Sequence, residues 1–441
     1  MTLAENIRVD PITALRTGGG IALGIVSTVI GRPYGVPVDL VVLLAALTLA
    51  PLDLLPIVVV TLIRRHDTVL GPLTLSDLAA IVYLARLVGS RRILGVHATA
   101  SRIVLALFFL WTVLVTLTGL GQQSTIGWLA VYACLGVMLT YAPGGKRWLH
   151  IGVLGLAAVE LLLYVPQFPA RFFGRYVNDP AHMGFLLVCA LVIVSMSEWS
   201  RRLRRVLVAV LVFGILCTFT RSVWFSLACV TVAAVLPRRW WVPIALPPVL
   251  AGLLLPLLSF VTQSFHLSTE SADIRLAGFA AGLADFRENM LTGQGWAAAA
   301  AARARGISGV SQLPVYDLWI YLGSAVGLVG LVLFLVYCGL LGRESLTDPV
   351  AYLGLTGALG MSLTEMPLYA GSLIAVLMFT MPTARPRPPA HQAIDHTEHT
   401  GGRIRQADSR TQHTGGRTPR SGPHFARHHR RAPYYRTGAR A

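Results

Sequence analysis

The stretch LWIYLGSAVGLVGLVLFLVYCGLL, residues 318–341, contains no charged residue. About 20 consecutive apolar residues form a helix that crosses the hydrocarbon core of a bilayer, so this stretch alone is long enough to span a membrane. Val206–Cys217 and Trp241–Val261 are further long apolar runs. The sequence therefore predicts a polytopic integral membrane protein.

The composition of the whole chain agrees with this prediction. Of its 441 residues, 54% are hydrophobic and 13% are charged, whereas soluble domains are about 45–50% apolar and roughly 25% charged. These values exclude a secreted or cytosolic catalytic domain. The five cysteines lie in apolar stretches and are predicted to be buried thiols, so they imply neither a disulfide framework nor a zinc site. We expect no metal and no cofactor.

Hydropathy divides the chain into three regions. Residues 1–18 are polar and are predicted to form a cytoplasmic N-terminus, and residues 19–382 are predicted to form an all-α membrane domain with about 12–14 transmembrane helices. Candidate spans lie near residues 19–32, 37–50, 52–63, 74–90, 103–120, 123–141, 149–166, 180–198, 206–219, 222–236, 241–262, 314–341, 348–366 and 368–382.

The remaining residues, 383–441, explain much of the positive charge. The formal net charge is +17, and this region holds 12 arginines against 3 acidic residues. It is rich in His and Arg and has almost nothing to bury, so we expect a disordered cytoplasmic tail. Alternative roles are contact with anionic lipid headgroups and adventitious metal binding. We expect no nucleic-acid partner.

Basic residues decide the orientation of the membrane domain, because the cytoplasmic loops of membrane proteins carry an excess of Lys and Arg. Residues 91–92, 146–147 and 201–205 fall on one side of the predicted alternation, as does the basic tail. Residues 64–65 are the exception. The one large hydrophilic loop, about residues 262–313, therefore faces away from the cytoplasm.

Arg221 is a functional candidate, because ionisable residues near the membrane core are costly. It lies at the predicted outer end of two short apolar helices, within the sequence CTFTRSVWFS that starts at Cys217. The neighbouring hydroxyl groups indicate a polar pocket. The alternative is an Arg at a span end whose side chain simply extends to water.

The large outer loop is predicted to begin with an amphipathic helix, since apolar residues recur at helical spacing from Leu276 to Phe286. We expect Arg275 in its first turn. A guanidinium beside the backbone N–H groups of a helix N-terminus would suit a phosphate. The alternative is a solvated Arg paired with Asp273 or Glu270.

Other polar residues stand at the predicted outer ends of spans. Arg175 and His182 lie in such a cluster, and Asp179 before a Pro is typical of a helix cap. Glu365 lies at the outer end of its span. Asp39, Asp53 and Glu160 are isolated acids in apolar runs. Each is either a proton or ion site of a transporter or a buried hydrogen-bonded group.

Three segments together resemble the superfamily of O-antigen ligases and O-antigen polymerases, which are membrane glycosyltransferases. TFTRS at residues 218–222 resembles the family's Thr-x-Ser-Arg-Gly-type element at the outer end of a helix pair. Arg275 followed by NMLTGQG at 289–295 resembles the family's outer loop, which closes with Pro-Leu-Thr-Gly-x-Gly; the Pro is missing here. VYDLWIYLGSAVGLVG at 315–330 resembles the His-Asn element that enters the next helix. Residues 178–180 also look like the family's Asn-Pro-Asn region.

The resemblance implies a set of residues that bind the donor. In the family, two arginines hold the diphosphate of a polyprenyl-diphosphate-linked glycan, and Arg221 and Arg275 stand at the matching positions. Arg175 is a further candidate for this role. Preorganised guanidinium groups stabilise the charge that develops on a departing diphosphate, and they need no metal to do so.

The residues that would activate the acceptor are less regular. The family's His, expected to assist the acceptor hydroxyl, is missing. Tyr316 stands at its position, and Asp317 stands at that of the following Asn. Asp317, Tyr316 and Glu365 are therefore the catalytic candidates, with His182 as an alternative.

The expected reaction moves a glycan from a polyprenyl-diphosphate carrier to a hydroxyl acceptor at the outer face of a bacterial plasma membrane. A ligase and a polymerase differ only in the acceptor, and the sequence does not distinguish them. Expected partners are the lipid-linked glycan, membrane lipid and other polysaccharide-assembly proteins. Two alternatives stay open: a transporter or flippase with gating acids, and an inactive scaffold of an export complex. One dominant outer loop and no inverted repeat favour the enzyme.

Overall fold

The computed structural model describes residues 99–118, 145–174, 177, 179–264, 270–295, 317–365 and 373–382, with short pieces between residues 68 and 86. The predicted N-terminus 1–18, the spans between 19 and 63, the span near 123–141 and the tail 383–441 lie outside the described residues. The regular secondary structure of the described residues is helical, apart from two short strands that pair antiparallel, β1 (Thr68–Leu70) and β2 (Leu73–Thr74).

The described part of the chain contains ten α-helices. In chain order they are α1 (Ala100–Thr118), α2 (Gly145–Tyr164), α3 (Pro180–Ser195), α4 (Arg201–Cys217), α5 (Arg221–Val235), α6 (Val242–Ser264), α7 (Glu270–Glu288), α8 (Leu318–Glu344), α9 (Pro349–Ser362) and α10 (Leu373–Thr380). Short 3-10 turns follow α2 (Val165–Gln167) and α8 (Ser345–Thr347).

Three described segments are long and apolar enough to cross a membrane: Ala100–Leu117, Leu149–Gln167 and Leu318–Thr347. Helices α3 and α5 and the Val242–Leu254 part of α6 are apolar but shorter. The helical fold class is confirmed for the described residues, and these three segments agree with the predicted membrane character. The total of 12–14 spans stays a prediction.

Helix α3 is the centre of one group of helices. Ala181 and every residue from Met183 to Val194 are buried, as expected for a helix that is apolar on all sides. It packs against α2, α4, α5, α9 and α10. A Cβ on Gly184 would lie 2.4 Å from a methyl carbon of Val223, so α3 and α5 approach closely here. This group holds the outer end of α5 in place.

A second group forms around α8, which packs mainly against α1 and α7. Helix α8 is interrupted at Gly327, where φ is 67° and ψ is −171°. This region of backbone space is open almost only to glycine. A break in a helix leaves amide and carbonyl groups without their usual partners. In this protein the segment Met290–Gly295, which follows α7, occupies the break.

Backbone hydrogen bonds fix this segment to both sides of the break. They run from the amides of Gln294 and Gly295 to the carbonyls of Ser324 and Ala325, at 2.8 and 2.9 Å, and from the amide of Leu328 to the carbonyl of Met290, at 2.7 Å. The indole N–H of Trp111 in α1 donates to the Val326 carbonyl at 2.8 Å. At about 1.5 Å per residue, the break lies roughly 14 Å along α8 from its first residue. This part of the predicted outer loop, which extends to about residue 313, is therefore anchored beside α8.

One helix begins before the predicted span near 206–219. Residues 201–205 were expected in a cytoplasmic loop, whereas α4 begins at Arg201. The Ser200 hydroxyl accepts from the Leu203 amide at 3.4 Å and caps this helix. Arg is a good helix former, and its long side chain reaches water from the end of a span. The charges therefore mark the first turns of the helix rather than its boundary.

Candidate functional site

The charge pattern predicts which end of each helix lies on the extracytoplasmic side, and we call this end the outer end. At their outer ends, α4 and α5 are joined by residues 218–220, which we call the 218–220 turn. Phe219 in this turn has φ of +47°, in the left-handed region. For a residue other than glycine this costs about 1–2 kcal/mol. Such a conformation persists only where its surroundings hold it.

The hydroxyl groups around Arg221 are bonded to other groups. Thr218, Thr220 and Ser222 are all buried. Thr218 donates to the Ile215 carbonyl at 2.7 Å, and Thr220 donates to the Thr218 carbonyl at 3.0 Å. The Arg221 side chain is exposed. The hydroxyls therefore shape the turn, and Arg221 extends from it to the surface.

One predicted site residue, Glu365, contacts the start of α5, the helix that begins at Arg221. The Ser222 hydroxyl donates to Glu365 Oε1 at 3.3 Å, and Arg221 is the preceding residue in the chain. Helix α5 begins with Thr220 as N-cap and has no side-chain cap. The positive end of the α5 dipole and a carboxylate thus lie together, with Arg221 as the first residue of the helix, and we call Arg221, Ser222 and Glu365 the α5–α9 rim.

Asp317, the candidate base, is the N-cap of α8. Its Oδ1 accepts a hydrogen bond from the Ile320 amide at 2.9 Å. Burial raises the pKa of this carboxyl to about 6, although its hydrogen bonds from backbone amides act in the opposite direction. A carboxyl group that titrates near neutral pH is suited to accept a proton from a substrate hydroxyl.

Asp317 and Arg221 belong to different helix groups. Helix α8, which Asp317 caps, packs mainly on α1 and α7, whereas α5 packs mainly on α9 and α3. Helix α6 contacts both α8 and α5 and connects the two groups. A common site would lie between these groups, and that remains a prediction. Tyr316 and Arg175 lie outside the described residues.

A helix is present at the start of the predicted outer loop as α7, but Phe279 of its predicted apolar face is exposed and Asp285 is buried. Because α7 begins at Glu270 and a turn has 3.6 residues, Arg275 lies in its second turn. The expected position in the first turn is therefore wrong, and the reason is the earlier start of the helix. The Arg275 side chain lies outside the described residues. Farther along α7, Phe286 packs against Gly323 of α8.

Asp179 caps a helix, and Glu160 is a buried hydrogen-bonded group. Asp179 Oδ1 accepts from the amides of Ala181 and His182 at 2.7 and 2.9 Å and caps α3, so the predicted cap is confirmed. Glu160 is fully buried and accepts from the Val177 amide at 3.0 Å. This contact fixes the segment that joins α2 to α3.

The contact of Glu160 predicts how its variants behave. Glu160→Gln keeps an acceptor oxygen for the Val177 amide and should cost at most about 1 kcal/mol, whereas Glu160→Leu leaves that amide unpaired and should cost about 1–3 kcal/mol. Thermal unfolding in detergent would measure both. Full stability with lost function in Glu160→Gln would instead indicate a proton or ion site.

One residue that the sequence analysis did not select contacts the 218–220 turn. Arg171 Nε donates to the Thr218 carbonyl at 2.8 Å. The sequence analysis selected Arg175 from the same cluster. Nothing in the sequence links Arg171 to a turn so far along the chain.

Within the described ranges, no group of three or more His, Cys, Asp or Glu side chains is placed to hold a metal ion. The sequence matches no protein-family model, and no curated protein sequence matches it.

Proposed function

We propose that the protein transfers or polymerises a glycan from a polyprenyl-diphosphate-linked donor onto a hydroxyl acceptor at the outer face of a bacterial plasma membrane. This is the reaction implied by the resemblance to O-antigen ligases and polymerases. The observation that carries the proposal is the α5–α9 rim, where exposed Arg221 stands at the N-terminus of α5, beside Ser222 and its partner Glu365.

The chemistry follows from the charges on the donor. The acceptor oxygen attacks the anomeric carbon of the glycan while the bond from that carbon to the diphosphate oxygen breaks. Negative charge then grows on the diphosphate. Arg221 and the first amides of α5 would bind it, because guanidinium groups and helix N-termini are both suited to phosphate oxygens. Arg275, and in the same role Arg175, would add positive charge.

The acceptor must lose its hydroxyl proton. Asp317 is the first candidate to take it, because its pKa of about 6 leaves it ionised yet basic at neutral pH. Glu365 on the α5–α9 rim is the second candidate. Tyr316, at the position of the family's His, is the third. The base would take this proton, and the released polyprenyl diphosphate would carry away the electron pair of the broken bond.

Two contacts argue against the transporter alternative. Transporters bind substrates at the open ends of interrupted helices. In α8 the ends created by the break at Gly327 are bonded to Met290–Gly295 and Trp111. Glu160, one of the proposed gating acids, bonds the Val177 amide. The scaffold alternative is motivated only by Tyr316 in place of His.

The test compares Arg221→Ala, Arg221→Lys and Arg287→Ala in a host that lacks its own copy of the gene. Arg221→Ala should lower glycan transfer about 100-fold or more, since one preorganised donor at a developing anion has an effect of this size. Arg221→Lys should also be poor, because an ammonium cannot bind two phosphate oxygens side by side. Arg287 is exposed on α7 and serves as the charge-matched control.

Lipid-linked glycan would be measured on each leaflet of the membrane. The proposal expects it to accumulate on the outer leaflet with Arg221→Ala and not with Arg287→Ala. Accumulation on the inner leaflet would indicate a flippase. Normal transfer by Arg221→Ala would contradict the role of this residue and favour the scaffold.

A further inference from the structure

A single guanidinium contacts all three residues of the 218–220 turn. Arg171 Nε donates to the Thr218 carbonyl at 2.8 Å. Its Nη2 lies 3.5 Å from the Phe219 carbonyl oxygen and 3.3 Å from Thr220 Oγ1. The first contact is the shortest, and the other two share one nitrogen. Arg171 thus spans the turn from end to end.

The position of Arg171 is itself fixed by its neighbours. The Phe172 amide donates to the Cys217 carbonyl at 2.9 Å, which ties the segment to the last residue of α4. The Phe172 ring is buried and stacks on Tyr164, with 4.2 Å between centroids. The Arg171 guanidinium lies over the Phe173 ring, 5.3 Å from its centroid. Arg171 is therefore held on one side by its neighbours Phe172 and Phe173 and on the other side by the 218–220 turn.

This arrangement bears on Arg221, which directly follows the turn. The turn holds Phe219 in a left-handed conformation, so it needs external support. Without Arg171 the carbonyls of Thr218 and Phe219 lose a charged donor, and the backbone leading to Arg221 is free to change direction.

We infer that Arg171 is a positioning residue, which holds the 218–220 turn so that Arg221 meets the donor diphosphate in a fixed orientation. The inference rests on the proposed function, in which Arg221 binds that diphosphate. The simpler account is that Arg171 only caps the C-terminus of α4, where any cation is favourable. The two accounts differ in what a Lys would restore. Lys supplies the charge and one donor, but it does not have the planar fork that reaches several acceptors.

The experiment uses the full chain in lipid nanodiscs, with undecaprenyl diphosphate as the probe. Binding affinity and thermal midpoint are measured for Arg171→Lys, Arg171→Ala, Arg221→Ala, the Arg171→Ala/Arg221→Ala double variant and the control Arg287→Ala. Arg171→Lys should keep the wild-type midpoint but bind about tenfold more weakly, the effect of losing charge-assisted alignment. The double variant should bind no more weakly than Arg221→Ala alone, because Arg171 acts through Arg221.

Two results would overturn the inference. Wild-type affinity in Arg171→Lys would leave Arg171 with the capping role alone. Additive losses in the double variant would mean that Arg171 contacts the diphosphate directly. Wild-type affinity in Arg221→Ala would be a failure of the proposed function instead, and a second measurement keeps the two failures apart.

That second measurement needs no ligand. Trp224 packs against Phe219, with 6.4 Å between ring centroids, and its indole N–H donates to the Ile215 carbonyl at 3.3 Å. In a chain labelled with fluorotryptophan, the Trp224 signal is assigned by Trp224→Phe. Arg171→Lys should shift or broaden this signal, and Arg287→Ala should not. An unchanged Trp224 signal in Arg171→Lys would show that the turn does not depend on Arg171.

Discussion

A Gly327→Ala chain should unfold well below the wild-type temperature or fail to fold. Gly327 has φ of +67°, and an added Cβ would lie 2.3 Å from the Leu291 carbonyl oxygen and 2.5 Å from the Gly293 amide nitrogen. Both are backbone atoms of the segment docked into the break of α8, so neither can rotate away. The strained backbone and the overlap together should cost about 3 kcal/mol or more.

Gly293, on the other side of this contact, leads to the same prediction. Gly293 has φ of +73°, and its Cβ would lie 2.5 Å from the Gly327 amide nitrogen. Gly293→Ala should therefore destabilise the chain to a similar degree. Because the two glycines touch, the double variant should lose less than the sum of the two single losses.

Two other glycines serve as controls in this experiment. A Cβ on Gly155 in α2 or on Gly252 in α6 meets nothing within 4 Å. Ala is a better helix former than Gly by roughly 1 kcal/mol, so Gly155→Ala and Gly252→Ala should match or exceed the wild-type midpoint. Unfolding would be followed in detergent by the loss of the monodisperse peak on heating. A Gly327→Ala chain as stable as these controls would show that Met290–Gly295 does not occupy the break.

The helices could be predicted where the local pattern of side-chain types indicates a helix. The apolar stretch at 180–198 has no polar face, and it became the buried helix α3. Apolar residues at helical spacing predicted α7. The cap at Asp179 was predicted from the Pro that follows it. In each case a local pattern of residue types was sufficient, because burial and capping depend on nearby residues.

The docking of Met290–Gly295 onto α8 could not be predicted in this way. It consists of hydrogen bonds between backbone groups, which leave no signature in side-chain type, and the two partners are distant in sequence. The hairpin at 68–74 was likewise missed, because its strands lie within and beside runs that hydropathy assigns to helices.

The residues of the candidate site could likewise be predicted only in part. Arg221 was recognisable as an ionisable residue beside apolar runs, and Asp317 was selected through the resemblance to the family's His-Asn element. The hydrogen bond between Ser222 and Glu365 could not be predicted, because Glu365 lies 143 residues away in the chain. Arg171 was passed over in favour of its neighbour Arg175, since both look alike until the 218–220 turn is known.

The largest loss of activity is expected for Asp317→Asn. Asn keeps a side-chain oxygen for the Ile320 amide, so the cap of α8 and the fold should be preserved. It cannot take a proton from the acceptor, and loss of a general base lowers rates by about 10²–10⁴-fold. Glycan transfer in isolated membranes would be measured against Asp179→Asn, which changes the cap of α3 in the same way.

The pH dependence of the wild type supplies a second test of the same residue. Because burial raises the pKa of Asp317 to about 6, transfer should fall as the pH is lowered through 6, where the base becomes protonated. Stability should change in the opposite sense. The folded state binds this proton more tightly than the unfolded chain, so the cost of the buried carboxylate is complete above pH 6 and disappears below the ordinary Asp pKa of about 3.9.

Asp317→Asn should remove both the pH dependence of activity and that of stability, so this variant tests directly whether Asp317 is the base. The variant should lose the acid limb of the activity profile together with the rate, and it should gain stability relative to the wild type at pH 8 but not at pH 4. A variant that keeps the rate and the acid limb would exclude Asp317 as the base. The acid limb would then belong to another carboxyl, and Glu365 on the α5–α9 rim would be the next residue to replace, because it accepts from Ser222, which follows the arginine proposed to bind the leaving group.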